Sequence, residues 1–181
     1  MEKDFTYYPK YLEDVFEEVY EEIKDKVVAQ TKGRSSCFFT LHEIDLFEML
    51  GESSANYNAK YKIVPEIIKK IRREVEILSK VIYDYVLVHI YRDGGGISWH
   101  NDKEALNSTI ASVSFGITRN FRLKKMDRKT GYDYELNLGP GDVLIMHPGC
   151  QKRYLHTIPS SSSPSVSGIR INLTFRQYEL R

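Results

Sequence analysis

Histidine is scarce in this sequence, so the positions of its five histidines are informative. His100 stands two residues before Asp102 in the segment ISWHND. On an extended strand, residues two apart project to the same face, with Cα atoms about 6–7 Å apart. An imidazole and a carboxylate placed in this way can bind one metal ion. A histidine from a distant strand would complete the two-histidine, one-carboxylate set that binds non-haem iron(II) and leaves coordination positions open.

The C-terminal segment IRINLTFRQ alternates between two kinds of side chain. One face of the corresponding strand would be apolar, and the other would carry two arginines and an amide. Arginine binds carboxylates through a planar fork, and arginines at positions i and i+6 could address both ends of a dicarboxylic acid. The segment therefore predicts a dicarboxylate cosubstrate, although a solvent-facing polar side would show the same alternation. The residues of the polar face are Arg170, Asn172, Thr174 and Arg176.

Two amphipathic helices and a series of short strands would position these residues. Apolar residues recur at spacings of three and four over residues 12–27 and 65–82, which predicts helices that pack on one face. After residue 84, short β-branched and aromatic runs alternate with Gly, Asn and Asp, which predicts an antiparallel sheet protein. We therefore predict an α+β fold in which the N-terminal helices cover a sandwich or jelly-roll core. Residues 31–62 are predicted to be irregular and residues 159–168 to form a flexible loop. The predicted strands are 85–92, 109–117, 120–126, 133–138, 142–147, 153–158 and 169–177.

The overall composition is balanced, with 26 basic and 25 acidic residues, and 41% of the 181 residues are hydrophobic. This length fits a single core, so we expect one domain over residues 1–181. No run of about 18 apolar residues occurs, and the N-terminus has no secretory apolar segment, so we expect a soluble, unsecreted protein with no membrane partner. We also expect a monomer. Cys37 and Cys150 are too few for a disulfide framework, which predicts an intracellular location, in the cytoplasm or nucleus.

At its metal-binding and arginine motifs the sequence resembles the AlkB family of 2-oxoglutarate oxygenases. That family combines a His-x-Asp pair, a distal histidine and a terminal strand with two arginines. Here they read HND at 100–102, YLHTIP around His156 and RINLTFR at 170–176. The similarity covers about residues 86–177 and agrees in order and spacing. It implies a double-stranded β-helix (jelly-roll) core at about residues 84–177, and a reaction of Fe(II), 2-oxoglutarate and O2 with alkylated bases of nucleic acids.

The resemblance also implies roles for individual residues. Arg170 is expected at the carboxylate of 2-oxoglutarate that lies far from the iron, and Arg176 at the nearer end. The implied iron ligands are His100, Asp102 and His156, and the implied 2-oxoglutarate-binding residues are Tyr91, Arg170, Asn172 and Arg176.

At three positions alternatives stay open. His89 stands where the family usually has asparagine, two residues before Tyr91, and an imidazole can still donate one hydrogen bond, so His89 is also a candidate to bind 2-oxoglutarate. His147 could replace His156 as the distal ligand, but the segment YLHTIP favours His156 and a structural role for His147. Glu104 either approaches the target base, as the matching acidic residue of the family does, or is an exposed charge at the end of a strand.

An alkylated base must leave its stack, or come from a single strand, and lie between flat or apolar groups during the reaction. In the family, the stretch before the second helix forms a nucleotide-recognition lid, which here corresponds to about residues 31–62. We expect Tyr57 to stack on the base, although each aromatic residue of this segment could simply pack the lid. The lid candidates are Arg34, Phe38, Phe39, Tyr57 and Tyr61.

A basic segment lies between two predicted strands. Residues 119–129 hold six basic side chains and one acidic side chain. Arg122 and its basic neighbours could contact phosphates and make binding dependent on salt, or they could form a solvated hairpin. The phosphate candidates are Arg119, Arg122, Lys124 and Lys125.

The predicted reaction is the oxidative demethylation of N-alkylated bases in DNA or RNA, with release of succinate, CO2 and formaldehyde. One alternative is a 2-oxoglutarate-dependent hydroxylase of a protein or small molecule, because this core does not dictate its substrate. Another is a catalytically inactive nucleic-acid-binding module with the same fold. The RINLTFR motif and Glu104 argue against the first alternative, and the intact metal and arginine sets argue against the second.

Overall fold

The computed structural model describes residues 3–42 and 60–179. The strands are β1 (Phe5–Tyr8), β2 (Val28–Thr31), β3 (Arg34–Thr40), β4 (Lys60–Tyr61), β5 (Tyr85–Tyr91), β6 (Ile97–His100), β7 (Ile110–Gly116), β8 (Arg119–Lys125), β9 (Tyr134–Leu138), β10 (Val143–Met146), β11 (Tyr154–Ile158) and β12 (Arg170–Arg176). The α-helices are α1 (Phe16–Ile23), α2 (Glu66–Ser79) and α3 (Cys150–Arg153).

The strands form two sheets that enclose the core. The larger sheet has the order β1-β10-β7-β12-β5-β3-β2, with β4 attached to β3, and the smaller has the order β6-β11-β8-β9. The predicted α+β class with a jelly-roll core is confirmed. All seven predicted strands are present as β5, β7, β8, β9, β10, β11 and β12, with ends that agree with the prediction to within one residue.

Strand β12 lies in the middle of the larger sheet, between β5 and β7. All seven of its residues are buried. On the face towards the helices, Leu173 and Phe175 pack in one cluster with Val19 of α1 and Ile68 of α2. The helices therefore cover the outer face of this sheet, and the polar side chains of β12 face inward, towards the smaller sheet.

Both helices are shorter than their apolar spacing predicts. Helix α1 ends at Ile23, and by Val28 the chain has entered β2. Helix α2 follows Pro65, as predicted, but Lys80 adopts a left-handed conformation with φ 58° and ends it. Ile82, which continues the helical spacing, is 66% exposed. Apolar residues thus recur at helical spacing past the points where the backbone leaves the helix, so their spacing alone overestimates the length of both helices.

The prediction of an irregular segment at 31–62 is wrong for its first part. Strand β3 pairs with β5 over its whole length. Its sequence RSSCFFT shows no polar-apolar alternation because both faces are covered, with Phe39 packed beneath the helices and Phe38 buried on the inner face. Strand β1, which pairs with β10 at the sheet edge, also had no sequence prediction.

Other expectations concern the membrane and the cysteines. Within residues 3–42 and 60–179, no helix is long and apolar enough to cross a membrane. Cys37 and Cys150 are buried and do not form a disulfide. The predicted loop at 159–168 contains one 3-10 turn, Pro164–Val166.

Candidate active site

Three potential metal ligands meet at one end of the smaller sheet. His100 on β6 is the direct cross-strand partner of His156 on β11, and their ring centroids are 4.3 Å apart. Asp102 follows β6 in an extended conformation. One carboxylate oxygen of Asp102 lies 3.8 Å from His100 Nε2, and the other lies 3.8 Å from His156 Nε2. The structure thus brings together the two-histidine, one-carboxylate set on which the sequence argument rests.

The protonation states of these residues suit metal binding. His100 Nδ1 lies 2.7 Å from the carbonyl oxygen of Ser98, so Nδ1–H donates there and leaves the Nε2 lone pair directed at Asp102. Burial lowers the pKa of His156 to about 4, although Asp102 opposes the shift. Burial alone would raise the pKa of Asp102, but the neighbouring positive charges, first Arg176 and then His156 and His100, together outweigh it, and the pKa falls to about 2. A neutral imidazole and an ionised carboxylate are the forms that bind iron(II), so the residues present fit this metal.

Gln151 holds the ligand segment in place and had no sequence prediction. The backbone N–H of Asp102 donates to Gln151 Oε1 at 2.9 Å, and the Asn101 side-chain amide donates to the Gln151 carbonyl oxygen at 2.8 Å. Gln151 lies on α3, immediately before β11, and is only 2% exposed. A glutamine has no spacing signature, so only the three-dimensional structure reveals this contact.

Arg170 provides a buried positive charge in the same cavity. Its guanidinium donates from Nη2 to Ser114 Oγ at 3.0 Å and lies with Cζ 5.2 Å from the ring centroid of Tyr91. The residue is 2% exposed, and its Nε has no hydrogen-bond partner in the described ranges. No carboxylate of residues 3–42 or 60–179 lies within 4.0 Å of this guanidinium. A buried cation without an acidic partner is costly, so the site fits an anionic ligand.

Arg176 connects the last strand to the metal ligands. Its Nη2 lies 3.1 Å from Asp102 Oδ1, and its Nη1 lies 3.5 Å from Glu104 Oε2. Glu104 is in a 3-10 turn after Asp102 and its side chain is 26% exposed. Glu104 is therefore partly exposed and paired with Arg176, and its approach to a base stays a prediction. The alternative of a solvent-facing polar side for β12 is wrong as well, because the strand is buried throughout.

Asn172 lies in the cavity between Arg170 and Arg176. Its side-chain amide donates to Ser112 Oγ at 2.8 Å and to the carbonyl oxygen of Val113 at 3.0 Å. These contacts tie β12 to β7 and orient the amide. Contact of Asn172 with 2-oxoglutarate stays a prediction.

His89 is buried in the same cavity, two residues before Tyr91 on β5. Its Nδ1 lies 2.5 Å from Ser36 Oγ on the neighbouring strand β3. Burial, with the nearby charge of Arg34, keeps the pKa of His89 well below its usual range. The imidazole is therefore neutral and fixed by Ser36.

His147 lies apart from the metal ligands. Its Nε2 is 2.8 Å from Thr6 Oγ1, and its backbone N–H donates to the carbonyl oxygen of Asp4. Both partners belong to the N-terminal segment that contains β1. This geometry supports the structural role expected for His147 and leaves His156 in the metal group.

The basic segment divides into a structural part and a surface part. Arg119 is only 3% exposed and donates to the carbonyl oxygens of Gly95 at 2.8 Å and Pro159 at 2.7 Å. The prediction that Arg119 contacts phosphates is therefore wrong, because its guanidinium holds two loops together. Arg122 forms an ion pair with Glu135 at 2.6 Å, and Lys124 Nζ lies 4.7 Å from the ring centroid of Trp99.

Several aromatic residues of the predicted lid belong to the sheet instead. Phe39 is fully buried, and its ring centroid lies 5.5 Å from that of Tyr61. The Tyr61 hydroxyl donates to the Lys26 carbonyl oxygen at 3.0 Å. Phe38 is 2% exposed. Tyr57, the predicted stacking residue, lies outside the described residues.

Comparison with known proteins agrees with the chemistry of this site. The family model for the 2OG-Fe(II) oxygenase superfamily matches residues 18–176, which include the three metal ligands and both arginines. The chain belongs to the 2OG-Fe(II) oxygenase superfamily. Enzymes of this superfamily use iron(II), 2-oxoglutarate and O2, the cofactors that the sequence motifs imply.

Relatives and a solved structure confirm the resemblance to the AlkB family. The chain is 34% identical to the DNA oxidative demethylase ALKBH2 of Mus musculus over 61% of this chain and 50% of that protein. It is 29% identical to the uncharacterized protein R406 of Acanthamoeba polyphaga mimivirus over 97% of this chain and 94% of that protein. The solved structure of OsALKBH1 has a TM-score of 0.69 and 17% identity, covers 98% of this chain and 99% of its own, and supports the fold. This chain thus spans about half the length of ALKBH2.

Proposed function

We propose that the protein is an iron(II)- and 2-oxoglutarate-dependent oxygenase that oxidatively demethylates N-alkylated bases of nucleic acids. The observation that carries the proposal is the meeting, in one buried cavity, of the ligand set His100, Asp102 and His156 with the unmatched cation Arg170. The metal set alone would fit several kinds of site. The adjacent guanidinium of Arg170 is buried without an acidic partner, which is costly unless an anion binds beside it. The cavity therefore also fits an anionic cosubstrate.

Each group has a physical task in this reaction. His100, Asp102 and His156 would hold the iron, and Arg170 and Arg176 would orient the two carboxylates of 2-oxoglutarate. Iron bound there, with 2-oxoglutarate and O2, would supply the oxidation that hydroxylates an N-methyl group while 2-oxoglutarate is converted to succinate and CO2. The hydroxymethyl group would then leave the base as formaldehyde. The sheets on both sides of the cavity exclude bulk water from the reacting groups.

The nucleic-acid substrate is supported by the residues at the mouth of the cavity and by the relatives. The side chain of His100 is 31% exposed, so a base could approach the metal from this side. Glu104, two residues after Asp102, is paired with Arg176 and partly exposed, and its carboxylate could accept a hydrogen bond from a base. The relative ALKBH2 is named as a DNA oxidative demethylase. An intracellular location and a monomeric state are parts of the same proposal.

The test is succinate release by the purified protein with iron(II) and 2-oxoglutarate, on a methylated and an unmethylated oligonucleotide of the same sequence. We expect release with the methylated strand to exceed release with the unmethylated strand. Equal release from both strands would contradict base demethylation and favour a hydroxylase with another substrate. Binding of the oligonucleotide without any release would favour an inactive binding module.

A further inference from the structure

Arg34 lies in a cross-strand row with two residues of the cosubstrate site. In the larger sheet, Arg34 of β3 is directly opposite Tyr91 of β5, and Tyr91 is directly opposite Arg170 of β12. Directly opposed residues project to the same face, with Cβ atoms about 5 Å apart. Tyr91 and Arg170 line the cavity, so Arg34 faces the same side of the sheet from one strand further out.

The turn before Arg34 is fixed to the loop that leads to the metal ligands. Gly33 has φ +81°, and a Cβ at this position would lie 2.9 Å from Gly95 Cα and 2.7 Å from the Arg92 carbonyl oxygen. The backbone N–H of Arg92 donates to the Gly33 carbonyl oxygen at 2.8 Å. Arg119 in turn binds the carbonyl oxygen of Gly95. The start of β3 is therefore held against the chain that continues into β6 and His100.

The charge of Arg34 has no acidic counterpart in the described part of the chain. Its Nε is buried without a hydrogen-bond partner there, and no carboxylate of residues 3–42 or 60–179 forms an ion pair with it. Arg170 is in the same situation. Tyr91 therefore has an unmatched guanidinium on each side, whereas the third nearby arginine, Arg119, is satisfied by carbonyl oxygens.

Arg170 is buried and Arg34 is half-buried with its Nε shielded from solvent, so two unmatched cations on one row repel each other and lose hydration. This is unfavourable unless an anion lies between them. The phenol of Tyr91 does not supply that anion, because burial raises its pKa even though Arg170 and Arg34 oppose the shift. His89, the next residue on this face of β5, is neutral and bonded to Ser36. An external carboxylate is thus the group that this row lacks.

We propose that Arg34 is a cosubstrate-binding residue that, with Arg170 and Tyr91, binds the carboxylate of 2-oxoglutarate farther from the metal. This inference rests on the proposed function for the identity of the anion. It adds a residue from β3, a strand outside the sequence motifs that identify the cosubstrate site. The other source of an anion near the cavity mouth is a phosphate of the nucleic acid, and the experiment separates the two.

The experiment measures, by calorimetry with Mn(II) in place of iron, the affinity of wild type and variants for 2-oxoglutarate. The same titration with 2-oxopentanoate uses a ligand that keeps the 2-oxo acid and lacks the distal carboxylate. We expect Arg34→Met to weaken 2-oxoglutarate binding about tenfold to a hundredfold, the usual effect of losing a hydrogen-bonded charged partner. Binding of 2-oxopentanoate should be unchanged.

Arg92→Met is the matched control, because Arg92 is one residue from Tyr91 but packs against Tyr20 of α1. This control should retain wild-type affinity for 2-oxoglutarate. Arg34→Lys keeps the charge without the planar fork and should fall between wild type and Arg34→Met. Thermal unfolding of each variant shows whether a loss of affinity results from misfolding. If Arg34→Met does not fold, Arg34→Lys is compared with wild type for both ligands instead.

Two results would contradict the inference. Equal losses for 2-oxoglutarate and 2-oxopentanoate would show that Arg34 only supports the fold. Unchanged 2-oxoglutarate affinity with weaker oligonucleotide binding would assign Arg34 to a phosphate. If Arg34→Met loses 2-oxoglutarate binding but keeps 2-oxopentanoate binding, the inference holds even where no oligonucleotide is demethylated. Failure of the proposed function is thus distinguished from failure of this role.

Discussion

The guanidinium of Arg176 lies 3.1 Å from Oδ1 of Asp102, so the last strand of the sheet is in direct contact with a candidate metal ligand. Arg176 Nη1 also lies 3.5 Å from Oε2 of Glu104, whose side chain is partly exposed. Arg170, six residues earlier on β12, contacts Ser114 and Tyr91 instead. The two arginines of one motif therefore have different neighbours, and their substitution should have different consequences.

Arg170→Lys should affect only the cosubstrate, whereas Arg176→Lys should affect both the cosubstrate and the metal. Lysine keeps the charge but loses the planar fork, so the apparent Michaelis constant for 2-oxoglutarate should rise about tenfold in both variants, a change of ~1.4 kcal/mol. Calorimetry should show weaker metal binding for Arg176→Lys alone. Weaker oligonucleotide binding by Arg170→Lys, with an unchanged constant for 2-oxoglutarate, would contradict the cosubstrate assignment.

Gln151→Ala should weaken iron binding although Gln151 is not a ligand. Its side chain accepts the backbone N–H of Asp102 and so fixes the ligand segment. Loss of such supporting contacts typically lowers metal affinity about tenfold to a hundredfold. Gln151→Glu keeps the acceptor oxygen and should retain more affinity than Gln151→Ala. Equal metal affinity in all three proteins would show that Asp102 is held by other contacts.

The strands of the core could be predicted from the sequence because their residues are β-branched and aromatic and their ends carry turn residues. Strand β3 could not, because RSSCFFT is covered on both faces and lacks alternation. The sequence predicts a longer helix α1 than the structure shows, because apolar residues at helical spacing continue to Val27, where the chain already approaches the β2–β3 hairpin.

The candidate site likewise contains residues that the sequence identifies and residues that only the structure reveals. His100, Asp102 and His156 could be identified because metal ligands require particular residue types at particular spacings. The sequence does not distinguish Arg119 from the other basic residues of its run, and only the structure separates a guanidinium that binds two carbonyl oxygens from an exposed one. Gln151 gives no signal, and the sequence indicates Arg34 only as a lid residue, because the contacts of both depend on strands that are distant in sequence.

The choice of distal ligand can be tested by substituting the two histidines in parallel. His156→Ala should reduce iron(II) affinity below detection in calorimetry, because it removes one of three protein ligands. His147→Ala should keep wild-type iron affinity and lose at most about 1 kcal/mol of stability, the value of its hydrogen bond to Thr6. The opposite pattern of iron affinities would assign the ligand role to His147.

The basic segment should show two separate effects. Neutralising Lys124 and Lys125 should flatten the salt dependence of oligonucleotide binding, by about 0.7 in the log-log slope for each phosphate of a single strand that the variant no longer neutralises. Arg119→Met should leave this slope unchanged and lower the free energy of unfolding by about 2 kcal/mol or more, because buried carbonyl oxygens lose their donor. An unchanged slope after the lysine substitutions would show that the hairpin is only solvated.

The central claim is that the cavity formed by His100, Asp102, His156 and Arg170 demethylates a base. The most direct measurement is mass spectrometry of a single-stranded oligonucleotide with one N-methylated base, after incubation with the protein, iron(II), 2-oxoglutarate and O2. We predict that the strand loses the mass of one methylene group, with formaldehyde and succinate released in equal amounts, and that Asp102→Ala leaves the strand unchanged. An unchanged oligonucleotide mass with the wild-type protein, under conditions in which it binds both iron and 2-oxoglutarate, would contradict the claim.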